Sequence, residues 1–131
     1  MIEAEIQAML EVMRHAVLAD GQVHQKEIEI LKRVSKSLGV EITPESENKS
    51  LHSLEEIFSK IKNKEMRAQA LIMSLEIVSA SGEVREAERS FLRKACELSG
   101  LSDEDTEKFI KIAENIAQTK AELYSLLNKS L

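Results

Sequence analysis

The apolar pattern of this chain predicts an all-α protein of six or seven helices. Three observations carry that expectation. Apolar residues recur three and four apart through most of the sequence, no stretch alternates as a half-buried strand would, and cap residues or glycines stand where the periodic runs begin and end. The composition agrees, with 43% hydrophobic and 31% charged residues, one Pro and four Gly. Three Phe, one Tyr and no Trp make the expected core aliphatic. A chain of 131 residues fits a single domain, residues 1–131, that buries roughly two thirds of its unfolded surface.

Taken in order, Ile6, Met9, Leu10, Met13 and Val17 share one face of a first helix, which Asp20-Gly21 ends. A second helix carries Ile28, Leu31, Val34 and Leu38, and Gly39 stands where a left-handed residue closes a helix. Thr43-Pro44 reads as an N-cap followed by proline at the first helical position, so a short helix is expected over Pro44 to Ser50. Ser53 and Glu56 form a capping-box pattern ahead of Leu54, Ile57, Phe58 and Ile61. Asn63 caps the next helix, with an apolar face expected along Ala68, Leu71, Leu75 and Val78 as far as Ser81-Gly82. Phe91, Leu92, Ala95 and Leu98 mark another, ending at Gly100. Two more box patterns, Ser102 with Asp105 and Thr119 with Glu122, predict separate final helices lined by Phe109, Ile112, Ala113 and Ile116, then by Leu123, Leu126 and Leu127.

A shift of 61 residues lays the segment from Ala16 over the segment from Ile77. Over 25 positions seven are identical, where about two would follow from ordinary residue usage. The pairs are Val17 with Val78, Ala19 with Ala80, Gly21 with Gly82, Val23 with Val84, Glu27 with Glu88, Leu31 with Leu92, and Gly39 with Gly100. Each belongs to a helix, corner and helix, so the chain holds two helical hairpins, roughly residues 5–40 and 66–101, related by an approximate twofold axis.

Composition excludes several functions. A net charge of −5, with Lys and Arg interleaved among acids, is wrong for a nucleic-acid surface. The longest uncharged run, between Arg67 and Glu76, is eight residues and cannot span a bilayer, while the start carries acids where a signal peptide would have bases. A cytoplasmic protein without direct membrane insertion is expected. The single Cys96 excludes an intramolecular disulfide and lies on an apolar stripe, which predicts a buried, inert thiol. Met9 and Met13 read as core filler, and His15 and His52 as surface residues without a general-base arrangement. The acids of "SDEDTEKF", from Ser102, complement a helix N-terminus. With no phosphate loop, nucleophile elbow or paired zinc cysteines, no enzyme is expected.

The stretch "LADGQVHQKE", from Leu18, offers two readings. Its Asp, Gly, apolar residue and Glu match the second half of an EF-hand loop, but the first half would place Ala16 and Leu18 as ligands, which excludes an ordinary EF-hand. As a plain corner, Gly21 takes a positive backbone angle, Asp20 shapes the turn, Val23 plugs it and Glu27 opens the next helix. His24, between Asp20 and Glu27, would suit a transition metal but is expected exposed at a helix start.

The Asp-Gly-x-Val-x-x-x-Glu corner and its second copy resemble the TerB-like family, named for tellurite-resistance proteins and found also at the start of some membrane-anchored DnaJ-like co-chaperones. The likeness runs from about Ile6 to about Leu127. It implies an all-helical fold and a divalent-cation site where the corners meet, here Asp20, Glu27 and Glu88, for Ca²⁺, Mg²⁺ or Mn²⁺. The second corner departs from the pattern, with Ser81 in place of an Asp and Glu83 the nearest substitute. The resemblance further implies a non-enzymatic stress-response or signalling module, linked to tellurite resistance, with a protein partner that can be membrane-associated. The alternative is a metal-independent interaction or scaffold domain. Partner identity and oligomeric state are not encoded in any motif.

Overall fold

The computed structural model describes residues 3–19, 21, 25–39 and 52–130. Among them are six helices and no strand: α1 Glu3–Leu18, α2 Gln25–Ser37, α3 Leu54–Lys60, α4 Lys64–Ser79, α5 Glu86–Leu98 and α6 Asp103–Ser130. The short helix expected over Pro44 to Ser50 lies outside the described residues.

The repeat is literal. Adding 61 to the bounds of α1 and α2 gives the bounds of α4 and α5 residue for residue. The corners match as well, for Gly21 N–H donates to the Leu18 carbonyl at 3.0 Å and Gly82 N–H to Ser79 at 3.1 Å. At the far ends Gly39 N–H reaches Lys36 and Gly100 N–H reaches Glu97, both at 3.0 Å, and all four glycines have positive φ, as a left-handed closing residue requires.

α1 and α4, the leading helices of the two hairpins, make the most extensive contact in the molecule. α2 packs on both of them, and so does α5, the exchange that a twofold relation produces. α3 covers α1 and α5, and α6 covers α4 and α5. The central position of α1 and α4 explains why each buries more than one stripe. Ala8, Met9, Leu10, Val12, Met13, Ala16 and Val17 are buried on α1, and Met66, Ala70, Leu71, Ser74, Leu75, Ile77 and Val78 on α4. The face expected for α4 was therefore too narrow, and Ala68 is exposed.

Cap chemistry fixes the connections. Ser53 Oγ accepts from Glu56 N–H at 3.2 Å, and Asn63 Oδ1 accepts from Glu65 N–H at 2.8 Å and Met66 N–H at 3.3 Å. The Arg67 guanidinium on α4 donates to the carbonyls of Ile61 and Phe58, satisfying the end of α3. Ser102 Oγ accepts from Asp105 N–H at 3.1 Å and opens α6.

Thr119 does not start a new helix. Its hydroxyl donates back to the Asn115 carbonyl at 2.9 Å, four residues earlier, and the backbone runs through as one 28-residue helix. With no Gly or Pro between Ser102 and Leu131, nothing breaks the i to i−4 ladder. The apolar lining shifts accordingly. α6 buries Ile110, Ala113 and Ala117, while Ile112 is exposed, as are Leu123, Leu126 and Leu127. No described helix is long and apolar enough to cross a membrane.

Candidate functional site: the two helical corners

Glu27 and Glu88 occupy equivalent positions in the first turns of α2 and α5, and each is 0% exposed. Below each runs the same buried stripe at four-residue spacing, Leu31 and Ser35 on α2, Leu92 and Cys96 on α5. Burying a carboxyl group is costly unless it is satisfied by donors or a cation, so its occurrence twice, at matched places, calls for a local cause.

At the second corner part of that cause is visible. Glu88 Oε1 accepts the Arg85 backbone N–H at 2.9 Å, and Arg85 Nη1 lies 4.0 Å from the same oxygen. Glu88 is thus the third residue of α5 reaching back to the N-cap, the acidic half of a capping box. Sequence reasoning missed this because Arg85 is not a residue type that marks an N-cap. The periodicity of Glu88 with Leu92 and Cys96 was the available signal.

The remaining second-corner side chains shape the turn. Ser81 Oγ donates to the Glu83 carbonyl at 3.1 Å. Glu83, considered as a substitute ligand, is exposed and lies 3.5 Å from Arg85 Nη2. Val84 is buried, as a corner plug should be. At the first corner Asp20, Val23 and His24 lie outside the described residues. Among the described residues no three His, Cys, Asp or Glu side chains converge as a metal site. Glu27 and Glu88 are both internal.

α6 draws the two hairpins together over this region. The Tyr124 hydroxyl donates to the Ala80 carbonyl at 3.0 Å, at the second corner, and Lys26 Nζ, beside Glu27, sits 3.1 Å from the centroid of the same ring.

The sequence model of the family described as tellurite resistance protein TerB matches twice, over residues 1–49 and 43–112. The chain belongs to the TerB family. Each match contains one of the two corners, so the family pattern and the internal repeat coincide. No curated protein and no solved structure gives a significant match.

Elsewhere in this TerB-family chain, the cysteine, methionine and histidine side chains have structural settings of their own. Cys96 is fully buried, and desolvation pushes its thiol up to about 12, which makes it inert at neutral pH. Met9 and Met13 are core residues. His52 is exposed as expected, but tertiary structure supplies the carboxylate that the sequence around it lacks. Its Nδ1 lies 2.9 Å and 3.1 Å from the two Glu11 oxygens, and its carbonyl is 2.8 Å from His15 Nε2. These contacts join α1 to His52, two residues before α3, and are surface links, each weak alone.

Proposed function

We propose that this TerB-family protein is a non-enzymatic binding module of stress response or signalling, in which Asp20, Glu27 and Glu88 hold a divalent cation, Ca²⁺, Mg²⁺ or Mn²⁺, and occupancy alters what a protein partner meets. The observation that carries the reading is the matched burial of Glu27 and Glu88, each in the first turn after a corner. Carboxylate oxygens are hard donors suited to these ions. A helix N-terminus by itself favours a negative group there, so the fold tolerates both carboxylates before any cation arrives. The partner is a protein rather than a nucleic acid, in keeping with the net charge of −5.

A second reading has its own observation. The bond from Arg85 N–H to Glu88 Oε1 is a structural use for that carboxylate, and Ser81 supplies no charge at the second corner. On this reading the chain is a metal-independent interaction domain whose corner acids only cap helices.

Thermal unfolding of metal-stripped protein with and without millimolar Ca²⁺, Mg²⁺ or Mn²⁺ separates the two, run beside Asp20→Ala, Glu27→Gln and Glu88→Gln. Glutamine at 88 keeps an oxygen for Arg85 N–H but removes the charge. A cation binding only the native state at one hundred times its Kd adds about 2.7 kcal/mol. The cation reading requires a rise in Tm in the parent that all three variants lose. No rise with any ion leaves the capping reading. Tellurite survival of a host deprived of the chain checks the stress-response role.

A further inference from the structure

α6 carries two apolar faces, and only one of them is covered. Toward the body it turns Thr106, Ile110, Ala113 and Ala117, all buried, and then Ala121 and Tyr124 at the second corner. At about 100° per residue, the stripe Ile112, Ile116, Leu123 and Leu127 lies roughly a third of a turn away. Ile112 is 51% exposed, Leu123 48% and Leu127 45%, and Ile116 is half-buried. Leu126, beside them, is the most exposed large apolar side chain among the described residues, at 60%. The helix thus turns mostly small residues inward and keeps most of its large aliphatic ones outside, the reverse of what a surface helix of a lone domain needs.

We propose that this stripe is a self-association surface, on which α6 of a second copy of this chain lies antiparallel about a twofold axis. The inference is independent of the cation reading above. Three observations select the occupant. First, Ile112, Ile116, Leu123 and Leu127 are spaced by four, seven and four residues, the same in either direction. Two antiparallel copies centred between Thr119 and Lys120 set Ile112 of one opposite Leu127 of the other, and Ile116 opposite Leu123, so the patch complements itself as a twofold contact requires. Second, the four exposed side chains offer roughly 350 Å² per copy, or about 400 Å² with Phe109 and Ile116, near the apolar share of about 450 Å² in a standard interface of about 800 Å² per partner. Third, the flanks suit a second copy better than a bilayer. Asn115 of each copy meets Glu122 of the other, an amide donor against a carboxylate, and Lys120 faces its counterpart on a long stem that turns its charge to solvent. Helices that lie on lipid carry Lys- and Arg-rich polar faces, whereas α6 has six acids to four lysines. Pairing also packs the helix end: Ser125 to Asn128 are all exposed, and helical turns without packing are marginal in water.

The test is sedimentation equilibrium of the parent, Leu123→Glu and Ile72→Glu between about 1 and 100 µM, the range in which a small interface associates. Ile72, 48% exposed on α4, is the control for loss of apolar surface elsewhere. Both sites are exposed, so both variants keep the helical circular dichroism of the parent. The parent is expected to move from the mass of one chain to that of two. Leu123→Glu, which puts a charge into the contact, should raise the dimer dissociation constant at least tenfold, and Ile72→Glu should leave it unchanged. Mild oxidation of Thr119→Cys and Leu126→Cys reads the direction, with Cys96 buried and out of reach. In the antiparallel pair the two 119 positions meet at the axis and cross-link, while the two 126 positions stand about 13 residues, roughly 20 Å, apart, too far for a disulfide. A parent that stays monomeric at the highest concentration, an equal loss from Ile72→Glu, or cross-linking of Leu126→Cys overturns the proposal. So does a monomeric parent that binds phosphatidylcholine–phosphatidylglycerol vesicles and loses them on Leu123→Glu, which assigns the stripe to a membrane.

Discussion

Gly82 and Gly100 are held at nearly the same backbone angle, φ +91° and +92°, yet their surroundings differ, which makes them a matched pair for measuring how tightly α6 lies on the second corner. Alanine at either site must enter the left-handed region, at a cost of about 1–2 kcal/mol. At Gly100 the added methyl meets nothing within 4 Å, so strain is the whole penalty. At Gly82 it meets Ala121 Cβ at 3.2 Å and Cα at 3.3 Å, so one of the two backbones must give by a few tenths of an ångström. If α6 backs away, it stretches the 3.0 Å bond from Tyr124 to Ala80. Overpacking of this kind adds about 1–2 kcal/mol. The expected losses are thus about 3 kcal/mol for Gly82→Ala and about 1.5 kcal/mol for Gly100→Ala. Urea denaturation reads the difference as a larger fall in midpoint at unchanged slope, and in a domain of this size the extra loss lowers Tm by roughly 3–8 °C. Equal losses at the two sites would refute the close approach of α6.

Three further outcomes follow from the same geometry. Thr119→Ala should leave stability unchanged or raise it by a few tenths of a kcal/mol, because alanine favours the helix interior, whereas Asn63→Ala should cost about 1 kcal/mol through loss of a true cap; a comparable loss at Thr119 in chemical denaturation would restore a break in α6. Cys96 should resist iodoacetamide in the native state at pH 8 and react fully in urea, since a thiol near 12 leaves only about one molecule in ten thousand as thiolate. Because the folded thiol titrates above its ordinary value of 9.0, the unfolded chain loses that proton first as pH rises, so stability falls between about pH 9 and 12 with a slope of about 1.4 kcal/mol per unit. Cys96→Ala should remove that alkaline slope relative to the parent, and an unchanged slope would assign it to other groups.

Local chemistry made much of the fold legible, and tertiary packing hid the remainder. Ser53, Asn63 and Ser102 act within three residues of themselves, so their roles are readable in the sequence, as are the positive φ angles at Gly21, Gly39, Gly82 and Gly100. Thr119 with Glu122 is the same pattern with the opposite outcome: a capping box needs the backbone to leave the helix, and continuous helix-forming sequence on both sides removes that option. The wide burial of α1 and α4 was invisible because a single stripe is what a helix at the surface needs, and only assembly shows that these two are central. His52 with Glu11, and Tyr124 with Ala80 and Lys26, join residues 41, 44 and 98 positions apart, a range over which spacing carries no signal.

The repeat supplies what spacing could not at the corners. Identity between Glu27 and Glu88 follows from a 61-residue shift, and the structure adds that both are fully buried at matched positions. Capping alone does not demand such burial, since the acidic member of a capping box commonly sits in solvent, as the first-turn acids of α3, Glu55 and Glu56, do here. The two hairpins have meanwhile diverged at neighbouring sites, with Met13 against Ser74, Ser35 against Cys96 and Asp20 against Ser81. A carboxylate is thus kept inside in both copies while its neighbours differ. Charge-removing glutamine at each site is the decisive substitution, because it preserves size and hydrogen-bonding oxygen and asks only whether the negative charge is used.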